Sequence, residues 1–153
     1  MRKIILPPIV LLLCMAGIMV SDIYLPENHS LKQVWISGIA SNFGYLIMVL
    51  GVFLPAWGAR VFKEVETNIM PYNPPDKMVT KGPFGFTRNP MYLGMLLVLV
   101  GLAWAYGTYA ALLFPPVYFA VANWWHIPFE EKKMAEAFGD AFTDYKSKVR
   151  RWI

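Results

Sequence analysis

Charge is what this chain has least of. Only 16% of its 153 residues are Asp, Glu, Lys or Arg, while 57% are hydrophobic and the mean hydropathy is +0.43. Ordinary soluble domains carry roughly 25% charged residues, so the shortfall argues against a soluble globule and for a protein embedded in a membrane. Cysteine is nearly absent: Cys14 is the single one, inside an apolar run, which excludes a disulfide frame or multi-cysteine metal site within one chain and leaves packing as its role. Histidine is scarce too, with His29 and His126 far apart, and a multi-histidine metal centre is not expected. No G-x-G-x-x-G follows a strand pattern, so a soluble Rossmann domain cannot be accommodated. The net charge of +4 does not signal a nucleic-acid partner, because the basic residues are scattered around hydrophobic segments and form no basic face.

What the chain has in abundance is long apolar runs. A membrane-crossing helix needs about 20 mostly apolar residues. Four segments qualify: 4–20, 34–59, 91–106 and 108–125. The first follows Met1-Arg2-Lys3 like a signal peptide, but Leu13 precedes Cys14 where a lipoprotein site needs a small residue, and an uncleaved span is expected. The last two come from one stretch, Asn89 to Phe129, without a charged residue; it is too long for one crossing and must fold back. Gly107-Thr108, flanked by Tyr106 and Tyr109, is the best reversal point. Pro115-Pro116 should kink the fourth segment, with Pro55 and Pro7-Pro8 acting similarly near span ends.

With four spans, 13 of the 14 basic residues fall on one side and only Lys32 on the other. The positive-inside rule makes that side cytoplasmic, with both termini there. The expected fold is all-α: one membrane domain, 1–153, of four transmembrane helices and a carboxyl-terminal amphipathic helix. That helix is read from Met134, Phe138, Phe142, Tyr145 and Val149 at spacings of three and four, with Arg150, Arg151 and Trp152 anchoring its end at the lipid headgroups. Function is expected in the cytoplasmic segments 60–90 and 126–153.

Three features there carry chemistry. Around Arg88-Asn89-Pro90-Met91-Tyr92, turn residues, a cation and an aromatic meet a span entrance. Pro90 suits a first helical turn and Asn89 an N-cap, so free amides together with Arg88 could receive a carboxylate; the bland alternative is that Arg88 and Lys81 merely mark the membrane border. Glu130-Glu131 follows the uncharged run directly. Neighbouring helical residues point about 100° apart, so Glu130 is expected inward and Glu131 toward solvent or Lys132 and Lys133; a helix-start acid facing the macrodipole is the alternative. His126, four residues before Glu130, shares its face if Pro128 leaves the helix continuous, and either orients a ligand or sits at the interface beside Trp124 and Trp125.

Taken together, Asp76-Lys77-Met78-Val79-Thr80-Lys81-Gly82-Pro83-Phe84, Arg88-Asn89-Pro90-Met91-Tyr92-Leu93-Gly94, and Glu130-Glu131 followed by Phe138-Gly139 and Tyr145 resemble the membrane methyltransferases related to isoprenylcysteine carboxyl methyltransferase, with phospholipid amine methyltransferases as more distant kin. The resemblance covers about 68–151. It implies S-adenosylmethionine as cofactor, held by Asp76, Lys77, Met78, Val79, Phe84, Asn89, Pro90, Met91, Tyr92 and Glu130. Arg88, His126 and Glu131 are then the candidates for catalytic work. The methyl acceptor is expected to be lipophilic or small, an isoprenylcysteine-like carboxylate, a lipid amine or a thiol, reached from surrounding membrane lipid. Asn89 stands where these enzymes usually have histidine. His126 stands where the eukaryotic ones have an arginine for the substrate carboxylate, which favours an amine or thiol acceptor arriving near Trp124 and Trp125. Two other classes share parts of the pattern: NADPH-dependent sterol reductases, through the arginine-proline-tyrosine turn and late acidic pair, and small four-span transporters, which would need acids within the spans where this chain has none.

Overall fold

The computed structural model describes residues 6–24, 39–66 and 77–153, and all regular structure among them is helical. Helix α1 spans Pro7–Tyr24, α2 Ile39–Val65, α3 Pro90–Tyr106, α4 Phe114–Val121 and α5 Ile127–Lys148. One 3-10 turn, Gly82–Gly85, precedes α3, a second, Ala111–Leu113, leads into α4, and a π-helical turn, Ala122–His126, joins α4 to α5. Among the described residues two helices are long and apolar enough to cross a membrane, Pro7–Tyr24 and Asn42–Val65, and α3 is a shorter apolar helix. Only 17% of either long apolar window is buried. The core helix of a soluble protein is mostly buried, so these two present their apolar sides outward.

The third segment reverses where glycine permits it. Gly107 adopts φ 65°, left-handed backbone that closes α3, and its N–H donates to the Ala103 carbonyl at 3.0 Å. Next to this reversal the Ser21 and Thr108 hydroxyls lie 3.2 Å apart, tying the end of α1 to the end of α3. The fourth segment departs from expectation in two ways. Pro115 and Pro116 occupy the first turn of α4, where a missing N–H costs nothing, so they start the helix at Phe114 instead of kinking it. The helix also does not stop at 125. Backbone at Val121, Ala122, His126 and Ile127 is right-handed helical throughout, and Pro128 falls in the first turn of α5. The apolar rod therefore runs without interruption into the acidic pair. It breaks only at Gly139, with φ 50° and ψ −121°.

The tightest packing joins α2 to α3, and glycine makes it possible. Gly44 and Gly51 on one helix meet Gly101 and Gly94 on the other, and the Pro55 ring lodges against Gly94. A Cβ added at Gly101 would lie 2.5 Å from the Gly44 carbonyl oxygen and 2.8 Å from Met48 N, backbone atoms that cannot yield. Small residues that let backbones touch are what holds helices together in lipid, where the hydrophobic effect between helices is missing. Gly101→Ala is therefore expected to lower the melting temperature of the detergent-solubilised protein, at a cost of about 1–3 kcal/mol. Gly85→Ala, where the nearest atom is 3.7 Å away, should leave it unchanged; equal melting of the two variants would remove this account of the α2–α3 contact.

Candidate active site

The turn before α3 is built by local sequence and then fixed from a distance. Pro83 and Phe84 are buried in the 3-10 turn, with Phe84 edge-on to Phe62 of α2 at 5.1 Å and packed with Val61 and Val79. Tyr145 of α5 donates to the Phe84 carbonyl at 2.7 Å. Thr87, fully buried, accepts from the Asn89 N–H at 3.1 Å. Asn89 occupies the N-cap position of α3 but its side chain does not cap; its Nδ2 donates instead to the Arg151 carbonyl at 2.9 Å.

The end of the chain is locked onto this turn by an ion cluster. Arg88 donates from Nη2 to Glu131 Oε1 at 2.8 Å and from Nη1 to the carbonyls of Val149, 2.6 Å, and Lys146, 3.1 Å. Arg151 grips the same carboxylate with two donors, Nε to Oε1 at 3.1 Å and Nη2 to Oε2 at 2.6 Å. Asn123, in the π-helical turn, accepts from Arg151 Nη1 at 3.2 Å and from Trp152 Nε1 at 3.0 Å. The Trp152 ring lies 4.8 Å from that of Phe119. Two expectations are corrected here. Glu131 does not face solvent, because two guanidiniums claim it, and Arg151 and Trp152 fold back on the site instead of reaching for headgroups. Burial pushes the Glu131 carboxyl up, but the bonds from Arg151 and Arg88 outweigh it and hold the group below the usual carboxylate range.

Between the start of α1, the end of α2, the Gly82–Gly85 turn, α3 and α5 lies an open-mouthed cavity of ≈ 550 Å³, within the range of small-molecule and cofactor sites. Lys77, Val79, Phe84, Arg88, Asn89, Pro90, Met91, Tyr92, Glu130 and Glu131 all contribute to its wall. Tyr92 donates to Glu130 Oε1 at 2.7 Å. Burial raises the Glu130 carboxyl above the ordinary range, opposed by the Tyr92 hydrogen bond and the Lys133 charge. Two adjacent glutamates are thus pushed in opposite directions by their surroundings: one locked as an ion-pair centre, the other poised over the cavity.

Not every residue singled out by sequence reaches this wall. Met78 is not part of it, and Asp76 is outside the described residues. His126 is 4% exposed, its ring 6.1 Å from that of Tyr92 and its Nε2 without a hydrogen-bond partner among the described residues, and it is not on the cavity surface. Trp124 and Trp125 are exposed and line no part of the cavity. Sequence reasoning did not assign the apolar walls to the site: Leu6, Pro7 and Pro8 of the first segment, Met95, and Met134, Phe142 and Tyr145, whose spacing gave only an amphipathic helix. Gly139, inside that helix, was the available signal that it bends.

Comparison with known proteins gives this geometry a lineage. A protein-family model described as phospholipid methyltransferase matches residues 39–141. Protein-S-isoprenylcysteine O-methyltransferases B and A of Arabidopsis thaliana are 30% and 29% identical over 127 residues, covering 78% of this chain and 60% of each relative. The chain thus spans about three fifths of the length of these relatives. An uncharacterized protein of Haemophilus influenzae is 38% identical over 63 residues, 41% of this chain and all of that one. No solved structure matches. The matched span runs from α2 through the Arg88 to Tyr92 turn to the Glu130–Glu131 pair, and the chain belongs to the phospholipid methyltransferase family of membrane methyltransferases.

Proposed function

We propose that this protein transfers a methyl group from S-adenosylmethionine to a lipophilic acceptor at the cytoplasmic face of a membrane. The observation that carries the reading is the convergence of the 3-10 turn, the Arg88 to Tyr92 turn and Glu130 on one cavity, with Glu130 held by Tyr92 at 2.7 Å. The residues fit an adenosyl sulfonium cofactor. Phe84, Met91 and Phe142 offer apolar surface for a flat base, Asn89 and Glu130 offer polar contacts for hydroxyls or an ammonium group, and a buried carboxylate attracts a sulfonium. When bound, S-adenosylmethionine supplies an electrophilic methyl group.

What the chain itself contributes is placement and exclusion of water. Arg88 and Glu131 are occupied with each other and with the chain end, so in this reading they shape the wall and do not touch the reacting atoms. Glu130 binds the cofactor and, for an amine or thiol acceptor, takes the released proton at Oε2; a carboxylate acceptor needs no base. His126 supports Tyr92. Leu6, Pro7, Pro8, Met95 and Met134 form the apolar side on which a lipophilic acceptor rests.

This reading includes four crossings with both termini cytoplasmic, since 13 of 14 basic residues then share the side of the cavity. A lumenal or periplasmic carboxyl terminus in cysteine-accessibility labelling would remove the topology. The activity is tested by calorimetry of detergent-solubilised protein with S-adenosylhomocysteine and NADPH in parallel: binding of the first alone is expected, and binding of NADPH alone would replace a methyltransferase with a reductase. The same titration carries a pH signature. Protonated Glu130 no longer attracts a cation, so affinity for S-adenosylmethionine should fall as pH is lowered, and because burial raises this carboxyl the loss sets in above the ordinary glutamate range of about 4.3. Glu130→Gln should flatten that dependence; an unchanged profile would exclude Glu130 as its source.

A further inference from the structure

One turn beyond the Glu130–Tyr92 pair, α4 brings a second phenol up to the cavity wall. Tyr118 is 1% exposed, and its hydroxyl lies 3.0 Å from the thioether sulfur of Met95. A thioether is a weak acceptor, and buried tyrosine hydroxyls ordinarily find an oxygen or nitrogen. Phenylalanine would fill the same space among Cys14, Leu99, Ala111 and Ala122 without burying a hydroxyl so poorly satisfied. Met95, in turn, is itself part of the cavity lining. It follows Tyr92 by three residues, on the same helical face and about 4.5 Å further along the α3 axis. The Tyr118 hydroxyl is therefore separated from the cavity by one side chain, and that side chain is unbranched, with three rotatable bonds and low cost to rearrangement.

We infer that Tyr118 determines acceptor specificity: its hydroxyl, uncovered when a bound molecule displaces the Met95 thioether, donates a hydrogen bond to a carbonyl oxygen of an amphiphilic methyl acceptor. The inference rests on the methyltransferase reading of the cavity and deepens it. The acceptor class it names is a lipid-like molecule whose apolar chain lies against the α1 start and Met134, and whose amide or ester carbonyl sits deeper than the group that is methylated. An acceptor with no such oxygen leaves Tyr118 bonded to Met95 and gains nothing from the hydroxyl.

The test places 3-fluorotyrosine at position 118 of the full chain and follows its fluorine resonance in detergent. N-acetyl-S-farnesylcysteine, a short-chain phosphatidylethanolamine and n-hexadecane are added in turn. The resonance is expected to move by more than its width with at least one carbonyl-bearing probe and not with hexadecane. No movement with any probe, or equal movement with hexadecane, overturns the inference. S-adenosylhomocysteine calorimetry on the same sample decides the methyltransferase reading separately. In turnover, Tyr118→Phe is expected to raise KM for the methylated probe roughly 3- to 10-fold, the scale of one neutral hydrogen bond, with S-adenosylhomocysteine affinity unchanged. A parallel loss of S-adenosylhomocysteine affinity would show a packing role and overturn it as well.

Discussion

Glu131→Ala is expected to be the most damaging single substitution in this chain, costing about 3–5 kcal/mol, the range for removing one partner of a buried ion cluster. The Arg88 side chain is only 9% exposed, and without Glu131 it remains buried with no counter-charge, while Arg151 loses both carboxylate bonds. For a protein of this size such a loss lowers the melting temperature by roughly 6–20 °C. Residues 149–152 should detach with it, so limited proteolysis near Arg150 is expected to accelerate. The pH dependence has a definite sign. Glu131 is held below its ordinary range, so its contribution is present above the unfolded value of about 4.3 and disappears as pH falls through the lower folded value. Wild type should therefore show an acid transition that Glu131→Ala lacks. Glu136→Ala is the control: that carboxylate is 65% exposed in its pair with Lys132, and exposed pairs contribute about 0–1 kcal/mol. Melting of the two variants within 1–2 °C of each other would sink the clamp.

That clamp was invisible in the sequence, and the reason is physical. The αL glycine at 107 and the proline at 90 are local signals, and each marked its helix end. So did the Arg88 to Tyr92 turn, because a Pro-bounded loop with charge and aromatics at a helix entrance is unusual wherever it occurs. Apolar length placed the first and third helices closely but missed the late start of the fourth at Phe114. The side chains that complete the site come from far along the chain: Arg151 lies 20 residues from Glu131, and Arg88 lies 43 from it. No periodicity reports such a contact. Adjacent acids look alike until packing decides which one meets guanidinium and which meets a phenol. Arg151 and Trp152 looked like headgroup anchors by composition, and the π-helical turn that aims Asn123 at them leaves no sequence trace. The glycines at 44, 51, 94 and 101 were legible and went unread, their seven-residue spacing being the mark of a close helix pair.

Glu130→Ala should weaken cofactor binding roughly 5- to 150-fold, the loss of a hydrogen bond made by a charged group, about 1–3 kcal/mol. Comparing two ligands separates the ways Glu130 could act. If it accepts hydrogen bonds from hydroxyls or an ammonium group, S-adenosylmethionine and S-adenosylhomocysteine lose affinity equally, since they share those groups. If it attracts the sulfonium charge, the first loses far more than the second. Tyr92 sharpens the distinction, because its hydroxyl already occupies Glu130 Oε1 at 2.7 Å and stabilises the ionised form. Tyr92→Phe removes that support, so the carboxyl should rise further and the acid-side loss of affinity should move to higher pH. In the double variant the two losses should not add, since Tyr92 acts on the ligand only through Glu130. Full additivity would mean that Tyr92 contacts the cofactor independently, and unchanged affinity in Glu130→Ala would take the cofactor away from this cavity altogether.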